Sequence, residues 1–295
     1  MAQHEGERSH QTVIRGDQVV DRTEEPQPRE VTVAPSPTGR FRVPARHNQQ
    51  LSELVDEINA DQELQQLWRS ANINAIDRSG INDHGPVHIQ IVANIGLRLL
   101  RLLSEAGVQP SVVANYGLTV ADAELVVVLG LALHDIGIAI HREDHEQLSV
   151  ILAAPLARRL LFDLYSEPTR TIMVVETLHA IAAHHWDVPT LTMEAGVVKV
   201  ADALDIAKGR SRIPFEAGKL NIHSVSAAAI DSVTIGKGEV RPIKIAVNMN
   251  NPAGVYQLDE LLKRKLMNSS IGPYVEVSAT ISAPAQHQSF PVYNL

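Results

Sequence analysis

The chemistry in this sequence centres on His134 and Asp135, which follow an apolar run from Leu125 to Leu133. A segment that is apolar on every side predicts a fully buried helix or, less well, a buried strand. An ionised carboxylate cannot be buried without a partner, so both side chains need partners there. We expect Gly137 to end the helix in a left-handed conformation. Imidazole and carboxylate suit divalent transition metals, although the pair could also be structural.

Further polar residues lie where helices are predicted to be buried or to end. His88 is on the inward face of a predicted helix over residues 86–105, and His84 lies one turn before it. Asp202 lies in VVKVADALDIA, within a predicted helix that Thr192 caps. Taken alone, Asp202 is better explained by a structural role, in which it helps the dipole of its helix. The additional candidate histidines are His145, His184 and His185.

In chain order, His88, the His134-Asp135 pair and Asp202 resemble the H…HD…D signature of the HD superfamily of metal-dependent phosphohydrolases. The segments HIQIVA, LALHDIG and VKVADALD fit the same pattern, and the resemblance covers residues 84–212. It implies a helical bundle, and the chain's ending resembles a prokaryotic branch with an α+β tail and no assigned substrate. The segment HHWDVPT lacks the glycine-tyrosine-proline signature of one subgroup, which disfavours a cyclic-dinucleotide phosphodiesterase of that type.

The resemblance also implies divalent metal ions as cofactors, two in those members that carry additional histidines. Asp135 would bridge the two ions, because each of its oxygens can bind one. Between His184 and His185 the choice stays open, as it does for His84, whose position is a ligand in only some members. The metals Mn, Fe, Ni, Co, Zn and Mg are not distinguished. The full predicted metal set is His84, His88, His134, Asp135, His145, His184, His185 and Asp202.

The activity that the resemblance implies is hydrolysis of a phosphomonoester or phosphodiester, nucleotides included, by a metal-activated water molecule. His134 and Asp135 would be the catalytic residues, and Lys208, Arg210 or Arg212 would clamp the phosphate. Two alternatives stay open. The same superfamily includes di-iron oxygenases with similar ligands, and the domain could be a non-catalytic metal- or ligand-sensing module whose output is the α+β tail. A complete ligand set argues against the sensor.

Composition limits the partners. The formal charge of −8 provides no basic surface for a nucleic-acid backbone, and 4% aromatic residues are few for base stacking. The chain has no cysteine, which excludes disulfides and thiolate chemistry. No apolar run suits a membrane span, and the start MAQHEGERSHQ has no secretion signal. We therefore predict a cytoplasmic protein that acts on small phosphate esters or nucleotides, with homo-oligomerisation left open.

The predicted architecture is mainly α, with an HD-type helical bundle followed by a small α+β domain of β-β-α-β order. Residues 1–48 are polar and proline-bearing, which predicts a flexible arm. Residues 49–224 form the predicted helical metal-binding domain. After residue 225 the hydrophobic period becomes two, as IDSVTI and PIKIAVNM flank the turn GKGE. A helix, VYQLDELLKRKL, and a strand, YVEVSATI, complete the predicted domain over residues 225–295.

Overall fold

The first part of the chain is helical, with the apolar faces turned inward. The computed structural model describes residues 40–206, 226–282 and 293–294. Among these residues a π-helical stretch, Ile73–Arg78, follows Asn72, and a 3-10 helix, Ile136–Ala139, follows Asp135. The α-helices of this part are α1 Gln49–Ala60, α2 Gln62–Asn72, α3 Pro86–Glu105, α4 Ser111–Tyr116, α5 Val120–Leu133, α6 His145–Leu160, α7 Thr169–Ala182 and α8 Met193–Ala203.

Helix α5 lies at the centre of the bundle and is buried on every side, as its composition predicts. It packs against α3, α7 and α8. A capping box starts it: the Thr119 hydroxyl accepts from the Asp122 amide, and the Asp122 carboxylate accepts from the Thr119 amide at 2.8 Å. The helix ends at Leu133 with His134 as its C-cap. The polar pair therefore lies at the mouth of a buried helix.

Gly137 serves close packing and does not end the helix in a left-handed conformation, so that prediction was wrong. The described glycines with positive φ are Gly80, Gly107 and Gly117. A Cβ atom at Gly137 would lie 2.2 Å from the carbonyl oxygen of His145 and 2.5 Å from the Ser149 nitrogen. The absence of a side chain is what lets the start of α6, and His145 with it, approach the His134-Asp135 pair.

Four strands form one sheet in the order β1-β2-β3-β4. Strands β1 and β2 are antiparallel, β2 and β3 are parallel, and β3 and β4 are antiparallel. This arrangement confirms the predicted β-β-α-β order and adds a short fourth strand. The strands are β1 Ile230–Lys237, β2 Ile243–Met249, β3 Val275–Ile281 and β4 Tyr293–Asn294.

The helix between β2 and β3, here called the C-terminal helix, spans residues 255–267 and contains a π-helical stretch, Leu258–Lys263. Its Leu258 and Leu262 are fully buried in the same hydrophobic core as Ile245 of β2 and the helices of the bundle. The predicted mainly α fold with a small α+β ending is therefore confirmed. Sheet and bundle share one core because each has an apolar face that the other covers.

Two other sequence predictions concern order and location. Phe41 is 5% exposed and packs on Trp68 at 5.8 Å, so packing already includes residues before position 49. Residues 1–39 lie outside the described part, and the predicted domain boundaries stay predictions. Among the described helices, α3 is long and apolar enough to cross a membrane, but 56% of its most apolar stretch is buried inside the protein. Buried core helices share this length and composition, and the cytoplasmic location stays a prediction.

Candidate metal centre

Three helices bring together four side chains, here called the first cluster. His88 comes from α3, His134 and Asp135 from the end of α5, and Asp202 from α8. His88 Nε2 lies 3.4 Å from His134 Nε2 and 3.4 Å from Asp202 Oδ1. His134 Nε2 lies 3.2 Å from Asp135 Oδ2 and 3.6 Å from Asp202 Oδ1. The potential ligand atoms all face one point.

The second cluster consists of Asp135, His145 and His184. His145 is the first residue of α6, and His184 follows the end of α7. The Nε2 atoms of the two histidines are 3.2 Å apart. Asp135 Oδ1 lies 3.2 Å from His145 Nε2 and 3.8 Å from His184 Nε2. All three residues are buried.

Asp135 belongs to both clusters, and its two oxygens are divided between them. Oδ2 faces His88 at 3.5 Å and His134 at 3.2 Å, while Oδ1 faces the histidines of the second cluster. His84 Nδ1 donates a hydrogen bond of 2.7 Å to Oδ2. One oxygen of the carboxylate therefore faces each cluster, and His84 restrains its orientation from outside both clusters.

The residues present fit divalent cations. A tetrahedral ion with bonds of about 2.1 Å needs ligand atoms about 3.4 Å apart, close to the 3.2–3.6 Å distances in the first cluster. Backbone carbonyls accept from Nδ1 of His134 at 2.8 Å and of His184 at 2.6 Å. A histidine that donates from Nδ1 keeps the Nε2 lone pair for a metal, so these bonds select the ligating tautomer.

The carboxylates of Asp135 and Asp202 raise the pKa of the histidine that lies between them in the first cluster. Burial by itself would lower the pKa of His134, but Asp135 and Asp202 outweigh burial and raise it to about 9. Burial opposes ionisation of Asp135, yet His134 and His84 hold the pKa of this carboxyl well below its usual range. In the absence of metal, a proton on His134 therefore partly compensates the carboxylates.

In the second cluster the pKa of the buried histidine is lowered, whereas in the first cluster it is raised. Burial lowers the pKa of His184 well below its usual value, and the positive charges of His134, His145 and Lys265 lower it further. His184 is therefore neutral near pH 7 and needs no deprotonation before it can act as a ligand.

The structure shows two neighbouring residues that the sequence interpretation missed. Asp205 Oδ2 accepts a hydrogen bond of 2.7 Å from His88 Nδ1, the carboxylate–histidine pairing that accompanies many metal sites. Asp205 lies three positions after Asp202, and that spacing was an available signal. Lys265 of the C-terminal helix donates to Asp202 Oδ2. No local pattern could reveal this second contact, because 63 residues separate the partners.

Other candidate residues lie apart from the clusters. The His185 side chain is 30% exposed and pairs with Asp187, which leaves it outside both clusters. His179 also lies outside both clusters and accepts a hydrogen bond from the Leu191 amide at 3.1 Å. The candidate phosphate ligands Lys208, Arg210 and Arg212 lie outside the described residues.

A cavity of about 510 Å³ opens over the clusters. Asp135, His145, His184 and Asp202 line its floor, and the C-terminal helix contributes one wall. Among the lining residues that the structure describes, the cationic ones are Arg142, Arg264 and Lys265, and the aromatic ones are Trp186 and Tyr256. The lining also carries the carboxylates of Asp135, Glu146, Asp202, Asp205 and Glu260. The volume of the cavity is in the range that small-molecule sites have.

Comparisons with known proteins agree with this geometry. The HD domain family matches residues 88–207. An uncharacterized protein of Methanocaldococcus jannaschii is 40% identical over 228 residues, which cover 77% of this chain and 88% of that protein. Ribonuclease Y of Desulforamulus reducens is 30% identical over 172 residues and that of Lactobacillus gasseri 32% over 173, each covering 56% of this chain. The chain spans only 30% and 29% of those two ribonucleases. No solved structure matches the chain significantly.

Buried His/Asp clusters at the ends of packed helices define a protein of the metal-dependent hydrolase superfamily. The chain belongs to the HD domain family, as the H…HD…D motif indicated.

Proposed function

We propose that the protein is a metal-dependent phosphohydrolase that cleaves a phosphodiester. The observation that carries the proposal is the division of the two Asp135 oxygens between two clusters beneath one cavity. His88, His134, Asp135 and Asp202 would hold one divalent ion, and Asp135, His145 and His184 a second. Ions bound there would supply Lewis acidity to the phosphoryl group and lower the pKa of a water molecule.

The remaining steps belong to the chain's own residues. The hydrogen bond from His84 keeps the Asp135 carboxylate in its bridging orientation. The Arg142 guanidinium lies 3.0 Å from His145 Nε2 and lines the cavity, where it can bind a phosphate oxygen. Arg264 also lines the cavity and pairs with Glu260 at 2.9 Å. Roles for Lys208, Arg210 and Arg212 as phosphate ligands stay predictions.

Among phosphodiesters, RNA is a candidate substrate. It is favoured by the similarity to ribonuclease Y over 172 residues, and the net charge of −8 argues against an extended contact with an RNA backbone. A short single strand or a dinucleotide whose scissile phosphate enters the cavity satisfies both observations. The cavity volume of about 510 Å³ lies within the range of small-molecule sites, which favours a short substrate.

The test combines metal analysis with a substrate panel. Purified protein is loaded with Mn²⁺, Fe²⁺, Co²⁺ or Zn²⁺ and incubated under nitrogen with a nitrophenyl phosphodiester, a nitrophenyl phosphomonoester, linear dinucleotides and short single-stranded RNA. We expect anaerobic, metal-dependent hydrolysis of a diester, with ¹⁸O from labelled water in the phosphate product. His134→Gln should lower the rate by about three orders of magnitude or more.

His141→Gln is the matched control, because His141 lies in the loop before α6 and outside both clusters. It should behave like the wild-type protein. Turnover that requires oxygen would mean that the protein is an oxygenase and not a hydrolase. Metal-loaded protein that turns over none of the phosphate compounds would favour the sensing module.

A further inference from the structure

Lys265 connects the α+β part of the chain to the metal centre. Its Nζ donates to Asp202 Oδ2, and both side chains are 14% exposed. Asp202 Oδ1 faces the first cluster, at 3.4 Å from His88 Nε2 and 3.6 Å from His134 Nε2. The two oxygens of Asp202 therefore have different partners: one faces the metal ligands, and the other is held by a lysine from a distant part of the chain.

Close packing on α8 enforces this contact. A Cβ atom at Gly196 of α8 would lie 2.3 Å from Ser270 Oγ, so the segment after the C-terminal helix rests on the α8 backbone. Ser270 Oγ donates to the Thr192 carbonyl at 2.7 Å, and Ser269 Oγ donates to the Gly196 carbonyl at 3.2 Å. Since α8 also carries Asp202, this docking fixes Lys265 relative to its carboxylate.

A buried lysine strengthens the same junction. Lys199 of α8 is fully buried, and its Nζ donates to the carbonyls of Val188 and, at 3.4 Å, of Asn268. A lysine is expected on a solvated charged face, and the burial of Lys199 contradicts that expectation. Val188 follows His184 by four positions, and Asn268 follows the C-terminal helix. Lys199 therefore ties the loop after the second cluster to the segment that carries Lys265.

We propose that Lys265 is a positioning residue that makes Asp202 a one-oxygen metal ligand. The inference rests on the metal centre of the proposed function. A carboxylate with both oxygens free can bind a cation through both. Because Lys265 holds Oδ2, only Oδ1 is available to the ion, and a coordination position stays open, as a catalytic site requires. The α+β part of the chain thereby completes the active site.

The test uses Lys265→Met, which keeps the aliphatic stem, and Lys265→Arg, which keeps the charge. Lys263→Met is the matched control: it removes a lysine from the same helix, where the side chain is 47% exposed and pairs with Asp259 at 3.4 Å. Each variant is also made in a His145→Ala background, which leaves a full ligand set only in the first cluster. Metal affinity is measured by chelator competition with Co²⁺, and coordination number by Co²⁺ visible absorption and X-ray absorption.

We expect Lys265→Met to bind Co²⁺ as tightly as wild type or roughly threefold tighter, because a positive charge beside the cation is removed. Its coordination number should rise, and kcat for the diester that the wild type hydrolyses should fall about tenfold or more with little change in KM. Lys265→Arg should recover most of the rate. Lys263→Met should match wild type in every measurement.

Three outcomes would overturn the inference while leaving the proposed function standing: a tenfold loss of Co²⁺ affinity in Lys265→Met, a raised KM with unchanged kcat, or no change in coordination number. The loss of Co²⁺ affinity would mean that Lys265 helps Asp202 to bind the metal. The raised KM would mean that Lys265 binds the substrate. If Lys265→Met fails to fold, Lys265→Gln decides by the same readouts. Wild-type protein that binds no divalent metal would overturn the proposed function itself.

Discussion

The two clusters share Asp135 but differ in composition and position. The first contains two carboxylates, and His88 and His134 lie beneath the cavity floor with their side chains fully buried. The second has only the shared carboxylate, and both of its histidines line the cavity. Negative charge in the first cluster favours a tightly held cation, and the second cluster presents its ligands where substrate would arrive.

The electrostatics follow from that difference. In the first cluster the carboxylates raise the pKa of His134 to about 9, so a metal ion must displace a proton at neutral pH. In the second cluster burial keeps His184 neutral. If each cluster holds an ion, as proposed, we expect the first to bind more tightly but with proton release, and the second more weakly but without it.

The largest effect is expected from Asp135→Ala, because this residue serves both clusters. We predict that Asp135→Ala loses both ions and that His145→Ala loses only the second. Metal content after gel filtration, by elemental mass spectrometry, gives the two stoichiometries. If Asp135→Ala retains as much metal as the wild type, Asp135 does not bridge two ions.

Metal affinity of the first cluster should rise with pH. Because His134 must lose its proton, the affinity should increase about tenfold per pH unit between pH 7 and 9 and then level off. Chelator competition in the His145→Ala variant isolates this cluster. A flat profile there would show that His134 is already neutral.

The same pKa makes a prediction for the metal-free protein. A pKa raised in the folded state means that the stabilising contribution is complete below about 6.5 and is lost as pH rises through about 9. Urea unfolding in the presence of a chelator should give a lower free energy of unfolding at pH 9.5 than at pH 6.5, by a few kcal/mol at most. His134→Gln should remove most of that difference, and an equal difference in both proteins would assign it elsewhere.

A smaller effect is expected from Asp205→Ala, which removes the partner of His88 Nδ1. Loss of such a partner typically lowers metal affinity about 10- to 100-fold. The loss should fall on the first cluster alone, so the second ion should bind to Asp205→Ala as to wild type once the first site is saturated. Co²⁺ titration with two resolved phases measures both, and an equal weakening of both phases would contradict the assignment.

The last variant, Gly137→Ala, changes packing and not a candidate metal ligand or its partner. Its Cβ would meet the His145 carbonyl at 2.2 Å, which pushes α6 away from the His134-Asp135 pair. Overpacking of this kind costs about 1–3 kcal/mol, and the second ion should be weakened while the first is kept. Gly236→Ala is the control, because nothing lies within 4 Å of its Cβ position. Urea unfolding and metal content distinguish the two variants, and a loss confined to the first ion would contradict this account.

Much of the fold could be predicted from the chain because its periodicities are local and strong. The apolar run of α5 from Leu125 to Leu133, the helical spacing of α3 and the alternation in β2 each reflect buried surface. Helix ends were predicted less well. The prediction of a left-handed Gly137 was wrong. The glycine is there because α6 approaches it closely, and a contact between separate elements cannot be recognised from a glycine in the local sequence.

The sequence by itself determined the candidate residues His88, His134, Asp135 and Asp202, because polar groups on buried helices must find partners and their order forms a family motif. The tertiary structure alone placed His184 in the second cluster and His185 outside it. Neighbouring residues at a helix end point in different directions, and only packing decides which one faces a site. Tertiary structure alone also brought Lys265 to Asp202, because a contact across 63 residues depends on how the α+β part docks on α8.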